Sequence, residues 1–211
     1  MRKELSGSYY RDSVIRLLKA RDIDCAYIAS GFFSDFTTRL AETAPDFAID
    51  EEMKGKELFL LGGYDENSKT LCELRDALIQ HGIKAHACKL IPTQKGEDPM
   101  RWHAKIAIFI SESRPVLAIV GSSNFTGPTM HGGSEHNFIS SPYIVQVEAD
   151  SFYWRKNHIN TDQAVHDAFN YWGGGRIAPH ISFNAEEFDD EIEKLIEKTY
   201  SRLLSFNWIM L

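Results

Sequence analysis

The sequence predicts an α/β fold, a mixed β-sheet flanked by helices on both faces, in a single domain covering residues 1–211. Three observations carry that prediction. Apolar strand-like runs alternate with amphipathic helical patterns up to about residue 91. Two apolar runs joined by a short polar turn then break the rhythm, and an acidic helical stretch follows near the end. With 43% apolar and 25% charged residues the chain has the material for an ordinary core, so disorder explains nothing about it.

Taken in order, "YYRDSVIRLLKARD" sets Val14, Ile15, Leu17 and Leu18 at helical spacing, and "DCAYIASGFF" is a strand closed by Gly31. "DFTTRLAETAPDF" is helical as far as Pro45, and "KELFLLGGY" is a strand ending at Gly62 and Gly63. "NSKTLCELRDALIQHG" is the clearest helix of this half, with Leu71, Leu74, Leu78 and Ile79 on one face and Gly82 in the C-cap position. "IKAHACKLI" supplies a third strand, so the rhythm is that of βαβ units. "HAKIAIFI" and "RPVLAIVGSSN", joined by "SES", form a β-hairpin, and "FISSPYIVQVEA" offers one more strand. A helix over about residues 185–204 has Asn184 as its N-cap and Phe188, Ile192, Leu195, Ile196, Tyr200 and Leu203 on one side. Its carboxylates crowd the first turns and Lys198 and Arg202 come late, as the helix dipole favours.

The net charge of −7 argues at first against a polyanionic partner. Residues 185–198, however, hold seven acidic and two basic side chains, a net of −5, which leaves only −2 for the rest. The acidity belongs mostly to one helix. Cys25, Cys72 and Cys88 are an odd number without a CxxC pair, which suits reduced thiols. The polar start "MRKELSGSYYRDS" does not read as a signal peptide, and no apolar run approaches the ~20 residues that span a bilayer. The expectation is a cytoplasmic protein without a membrane partner.

The chemistry gathers at the hairpin. Strand alternation puts His103 and Lys105 on one face, with Ala104, Ile106 and Ile108 on the other. On the second run Ser122 and Asn124 share a face just beyond Gly121. Pairing of the two runs would make His103, Lys105, Ser122 and Asn124 converge. That set offers a nucleophile or base, a fixed positive charge and neutral donors, which suits a phosphate group. The competing reading is a strand end meeting solvent, where His and Lys carry no meaning.

"HAK" followed by "GSSNFT" resembles the HxK and GSxN signature of the phospholipase D superfamily, and Glu135 stands eleven positions after Asn124, where many members carry an acid. The resemblance is closest to the small metal-independent nucleases of that superfamily, including the catalytic domains of certain restriction endonucleases, and it covers residues 103–135, with looser agreement in the upstream βαβ rhythm and in "YIASGFF". Two positions depart from the pattern besides a long spacing between Lys105 and Gly121. Ile110 occupies the place of the usual Asp, for which Glu112 is the nearest substitute, and Gly133 replaces an Asn.

The resemblance implies a phospholipase D-like fold and a phosphodiesterase that needs no cofactor and no metal, with nucleic acid as substrate. His103 would attack phosphorus to give a phosphohistidine, Lys105 and Asn124 would hold the non-bridging oxygens, Ser122 would assist, and Glu135 would fix the histidine tautomer. Ser123, Thr126 and His136 would touch the substrate. One motif copy, in a mechanism that uses two histidines, implies a homodimer with a composite site. A partner subunit of a restriction or defence system is a further expectation, resting on family analogy. The alternatives are a lipid phosphodiesterase and an inactive nucleic-acid-binding module. A zinc site built from His131, Glu135, His136 and His103 is a rival use of the same residues. Trp172 and Arg176, and the run Phe152 to Lys156, could contact nucleic acid or be core with a solvated edge.

Overall fold

The computed structural model describes residues 9–31, 33, 51–62, 68–91, 105–121, 150–171 and 189–211. Among these, helices α1 (Tyr9–Leu18), α2 (Ser68–Gln80), α3 (Ile159–Tyr171) and α4 (Asp189–Leu204) pack on strands β1 (Cys25–Ser30), β2 (Glu57–Gly62), β3 (Lys84–Leu90), β4 (Lys105–Ser111), β5 (Arg114–Gly121), β6 (Asp150–Trp154) and β7 (Trp208–Met210). All seven strands form one sheet in the order β6-β5-β4-β1-β2-β3-β7. β1, β2 and β3 run parallel, whereas β4, β5, β6 and β7 join by antiparallel pairing. The sheet is therefore mixed, and the α/β class expected from the alternation of runs is the one found.

Helices cover both faces, because each strand is apolar on both sides. On one face Val14, Ile15, Leu17 and Leu18 of α1, Leu71, Leu74 and Leu78 of α2 and Val165 of α3 bury against Ile28, Leu60, Ala87, Ala107, Phe109 and Ile119. On the other, Ile196 and Leu203 of α4 meet Ala29, Leu61, Ile108, Ile110 and Ala118. The alternation along β4 is thus real: Ala107 and Phe109 face α1, α2 and α3, while Ile108 and Ile110 face α4.

α2 ends as its sequence requires. Gly82 has φ +85, the Gly82 N–H donates to the Ile79 carbonyl at 2.9 Å, and the Ile83 N–H reaches back to the Leu78 carbonyl at 3.1 Å. This is the glycine C-cap with its paired backward bonds. Two expected core positions lie outside the core. Ile79 is 50% exposed and Leu195 is 41% exposed, because each sits at the margin of an apolar stripe already filled by neighbours on either side. The helix read over 185–204 is described from Asp189 onward. Asn184, Phe188, the helix expected before Pro45 and the strand expected at 138–149 lie outside the described residues.

The β4–β5 hairpin turns through Glu112 (φ 48) and Ser113 (φ 67), the left-handed pair of a two-residue type I′ loop. Pairing runs Ser111↔Arg114 and Ile110↔Pro115, then shifts so that Phe109 faces Leu117. The extra residue, Val116, is a β-bulge, and it leaves both Val116 and Leu117 buried in the core beneath α1.

Candidate functional site

The expected convergence at the hairpin mouth begins with its register. Lys105, the first residue of β4, pairs with Gly121, the last of β5. The described ends of β4 and β5 that adjoin His103 and Ser122 in the chain therefore lie at the same sheet edge. His103, Ser122, Ser123, Asn124, Thr126, Glu135 and His136 themselves lie outside the described residues, as do His131, Gly133, Trp172 and Arg176. Lys105 is the member of the predicted set that the structure places.

Its surroundings follow from strand order. The parallel series leaves β1 toward β2 and β3, and the chain then returns to lay β4 on β1's other side. The C-terminal end of β1 and the N-terminal end of β4 thus lie side by side, with β2 and β3 on the other side of β1. Ser30 ends β1 there, next to the Ala29↔Ile106 pair, and Ser30 is itself paired with Gly62 of β2. Gly121 pairs in turn with Asp150 of β6. A row thus crosses the sheet edge in the order Asp150, Gly121, Lys105, Ser30, Gly62.

The row is polar on the face of α1. Lys105 shares that face with Ala107 and Phe109, and Asp150 shares it with Phe152 and Trp154. Lys105 is only 8% exposed, and it makes no ion pair with any described residue. Lysine is almost never this buried unless its charge is met. Gly121 stands beside the lysine in the row, and Gly62 stands one strand beyond Ser30. At Gly62 a Cβ would stand 2.7 Å from the Leu71 Cδ2, so that position admits no side chain without displacing the core. Above the row, the buried Tyr10 phenol of α1 is held far above its ordinary pKa, chiefly by burial and further by the negative charge of Asp150.

Ser30, Asp150 and Tyr10 were not singled out by the sequence. A signal existed for the first: "IASG", "LLGG" and "IVGS" end three strands in small residues at one sheet edge. Nothing local marks Asp150, which joins the row through pairing alone.

The substitute for the motif Asp is corrected by the geometry. Glu112 lies in the turn at the far end of β4, seven residues and about 23 Å from Lys105. Ile110, in the place of that Asp, is buried on the α4 face, away from Lys105. The run from Phe152 to Lys156 is strand β6 and the turn after it, and two of its groups are engaged internally. The Trp154 Nε1 donates to Asp162 at 2.7 Å, and Arg155 pairs with Glu193 at 2.7 Å and Glu197 at 3.1 Å. No cluster of metal-ligating side chains occurs among the described residues. No described helix is long and apolar enough to cross a membrane.

Fold and row together define an α/β protein with a polar row at one edge of a mixed sheet. Comparison with known proteins adds no family: no family model matches the sequence, and no curated protein matches it. Among solved structures, a polyphosphate kinase from Porphyromonas gingivalis is similar at a TM-score of 0.38 and 18% identity, over 92% of this chain and 29% of that one. The chain spans less than a third of that protein's length. The resemblance to single-motif phospholipase D nucleases is corrected, since no family model matches the sequence that carries the motif. The physical reason is visible at Ile110, where the hairpin is braced by apolar packing and not by the carboxylate the motif requires.

Proposed function

We propose that this chain is an enzyme that hydrolyses phosphodiester bonds, with nucleic acid as its substrate. The observation that carries the proposal is Lys105: a buried ammonium at the head of β4, beside Gly121, in no ion pair with a described residue. An anionic ligand would supply the counter-charge, and a phosphate's tetrahedral oxygens can take both the ammonium and the donors of the neighbouring "GSSN". His103, two residues before Lys105 in the chain, would serve as the nucleophile toward phosphorus. Attack would give a phosphohistidine, which water then hydrolyses. Asn124 and Ser122 would hold oxygens, and Glu135 would orient the imidazole.

Cleavage of plasmid and single-stranded DNA in the presence of EDTA tests this. The expected result is metal-independent cutting by the wild type that His103→Ala and Lys105→Ala each abolish. Undiminished cutting by the His103 variant overturns the nucleophile, and loss of all cutting on chelation overturns the metal-free chemistry.

A further inference from the structure

We propose that His86 and Lys84, at the edge of β3, bind a nucleotide unit, the imidazole stacking on the base and the ammonium meeting the phosphate. This is a second site, on the face of α4 and so opposite to Lys105, and it stands whether or not the chain cleaves phosphodiesters. Three rings rise from adjacent strands in one row. Tyr27 of β1 and Phe59 of β2 stack at 4.5 Å with planes 5° apart, and Phe59 and His86 of β3 stack at 4.5 Å with planes 15° apart. The spacing is close to that of the strands themselves, so each ring stands over its own strand. His86 is held in place by the Glu57 Oε1, hydrogen-bonded to its Nε2 at 2.9 Å.

The row ends at His86 because the sheet steps back there. β7 pairs with β3 from Cys88 to Leu90, so no described strand flanks β3 at His86 on that side. Phe59 covers one face of the imidazole, and the other is directed past the edge of β3. The His86 side chain is 30% exposed, and Met210, paired with the nearby Cys88, is 65% exposed. A ligand's aromatic ring would continue the stack by one more spacing, at little entropic cost to a ring already fixed. Charge selects the ligand. Lys84 lies two residues before His86, on the same face and about 6.6 Å along the strand, exposed and in no ion pair with a described residue. A base on the imidazole with its phosphate at the ammonium satisfies both, whereas an uncharged aromatic satisfies one. The Glu57 carboxylate beside the stack is already engaged by His86.

Titration with adenosine and with adenosine monophosphate, followed by the imidazole proton resonances of His86, tests this; those resonances are assigned by their loss in His86→Phe. The expected result is an upfield ring-current shift that saturates with either ligand, the monophosphate binding several-fold more tightly. Lys84→Ala should erase that preference and leave adenosine binding unchanged. His86→Ala should weaken both ligands by about 10-fold or more, and His86→Phe should keep them bound. Absence of any shift at saturating ligand overturns the site. A Lys84→Ala protein that retains the preference overturns the phosphate contact, and a His86→Phe protein that binds as weakly as His86→Ala overturns the stacking. If His86→Ala does not fold, the wild-type shift and the Lys84 variant decide by the same outcomes. A short oligodeoxyadenylate, titrated into Lys105→Met so that cleavage does not intervene, separates the two sources of the ligand: tighter binding than the monophosphate supports a nucleic-acid strand as the occupant, and equal binding supports a free nucleotide. Cleavage in EDTA is read separately, so failure here leaves the phosphodiester reading intact.

Discussion

The Glu112 N–H donates to the Asp24 Oδ2 at 2.8 Å, tying the tip of the β4–β5 hairpin to the residue that leads into β1. The Asp24 N–H donates in turn to the Ile110 carbonyl at 2.9 Å, so the two backbones clasp each other at the edge opposite Lys105. The clasp holds a turn in which two residues with side chains adopt left-handed φ.

That conformation costs a non-glycine residue about 1–2 kcal/mol, and glycine escapes it at some expense in unfolded-chain entropy. Ser113→Gly should therefore stabilise the protein by about 0.5–1 kcal/mol, read as a higher urea midpoint at unchanged slope. A lowered midpoint would count against the type I′ geometry.

Lys105→Met should separate stability from binding. It keeps the length of the stem and removes a buried charge, so the melting temperature should hold or rise by the equivalent of about 1 kcal/mol. Phosphodiester cleavage should fall by about 100-fold or more, as for loss of a main electrostatic contact. A folded variant with full activity would show that Lys105 meets no phosphate.

Asp22 caps a helix to which it does not belong. Its Oδ1 accepts from the Thr161 hydroxyl at 2.8 Å and its Oδ2 from the Thr161 N–H at 3.1 Å, in the first turn of α3. Asp22→Ala should cost about 1–2 kcal/mol in chemical unfolding, while Asp22→Asn, which keeps the acceptor, should cost less.

The thiols supply a pH prediction. Burial first, then Glu57 and Asp24, push Cys25 up to about 12, and burial raises Cys88 as well. Native protein at pH 8 should therefore take up iodoacetamide at Cys72 alone, and unfolded protein at all three. The unfolded thiol ionises near 8.5, so the stability contributed by neutral Cys25 is fully present below that value. It is lost as the pH rises toward about 12. Urea midpoints measured from pH 8 to 11 should decline across that window.

What could be read in the sequence was what local pattern encodes. The β2–α2–β3 unit, the "SES" turn and the cap at Gly82 are written in neighbouring residues, and each is found where the pattern put it. α3 escaped because its burial rests on Thr161, Val165 and Ala168, its Ile159 is exposed, and its capping carboxylate lies far away at Asp22. β7 is three residues long, too short for alternation to register, and β6 is hidden in a run of consecutive aromatics. The same distinction applies at the site. Lys105 opposite Gly121 could be anticipated from the hairpin, whereas Asp150 arrives through a third strand whose register no local signal sets.

Counting back from the turn shows what the bulge at Val116 decides. Without that one extra residue the ladder that begins at Ser111↔Arg114 would run on unshifted and set Val120, not Gly121, opposite Lys105. A branched side chain would then stand between Lys105 and Asp150 on the face of α1, where the shifted ladder sets a glycine. Val116 thus works as a phase adjuster in an otherwise regular ladder: one inserted residue, about five positions from the mouth, selects which letter of "VGSS" meets the lysine.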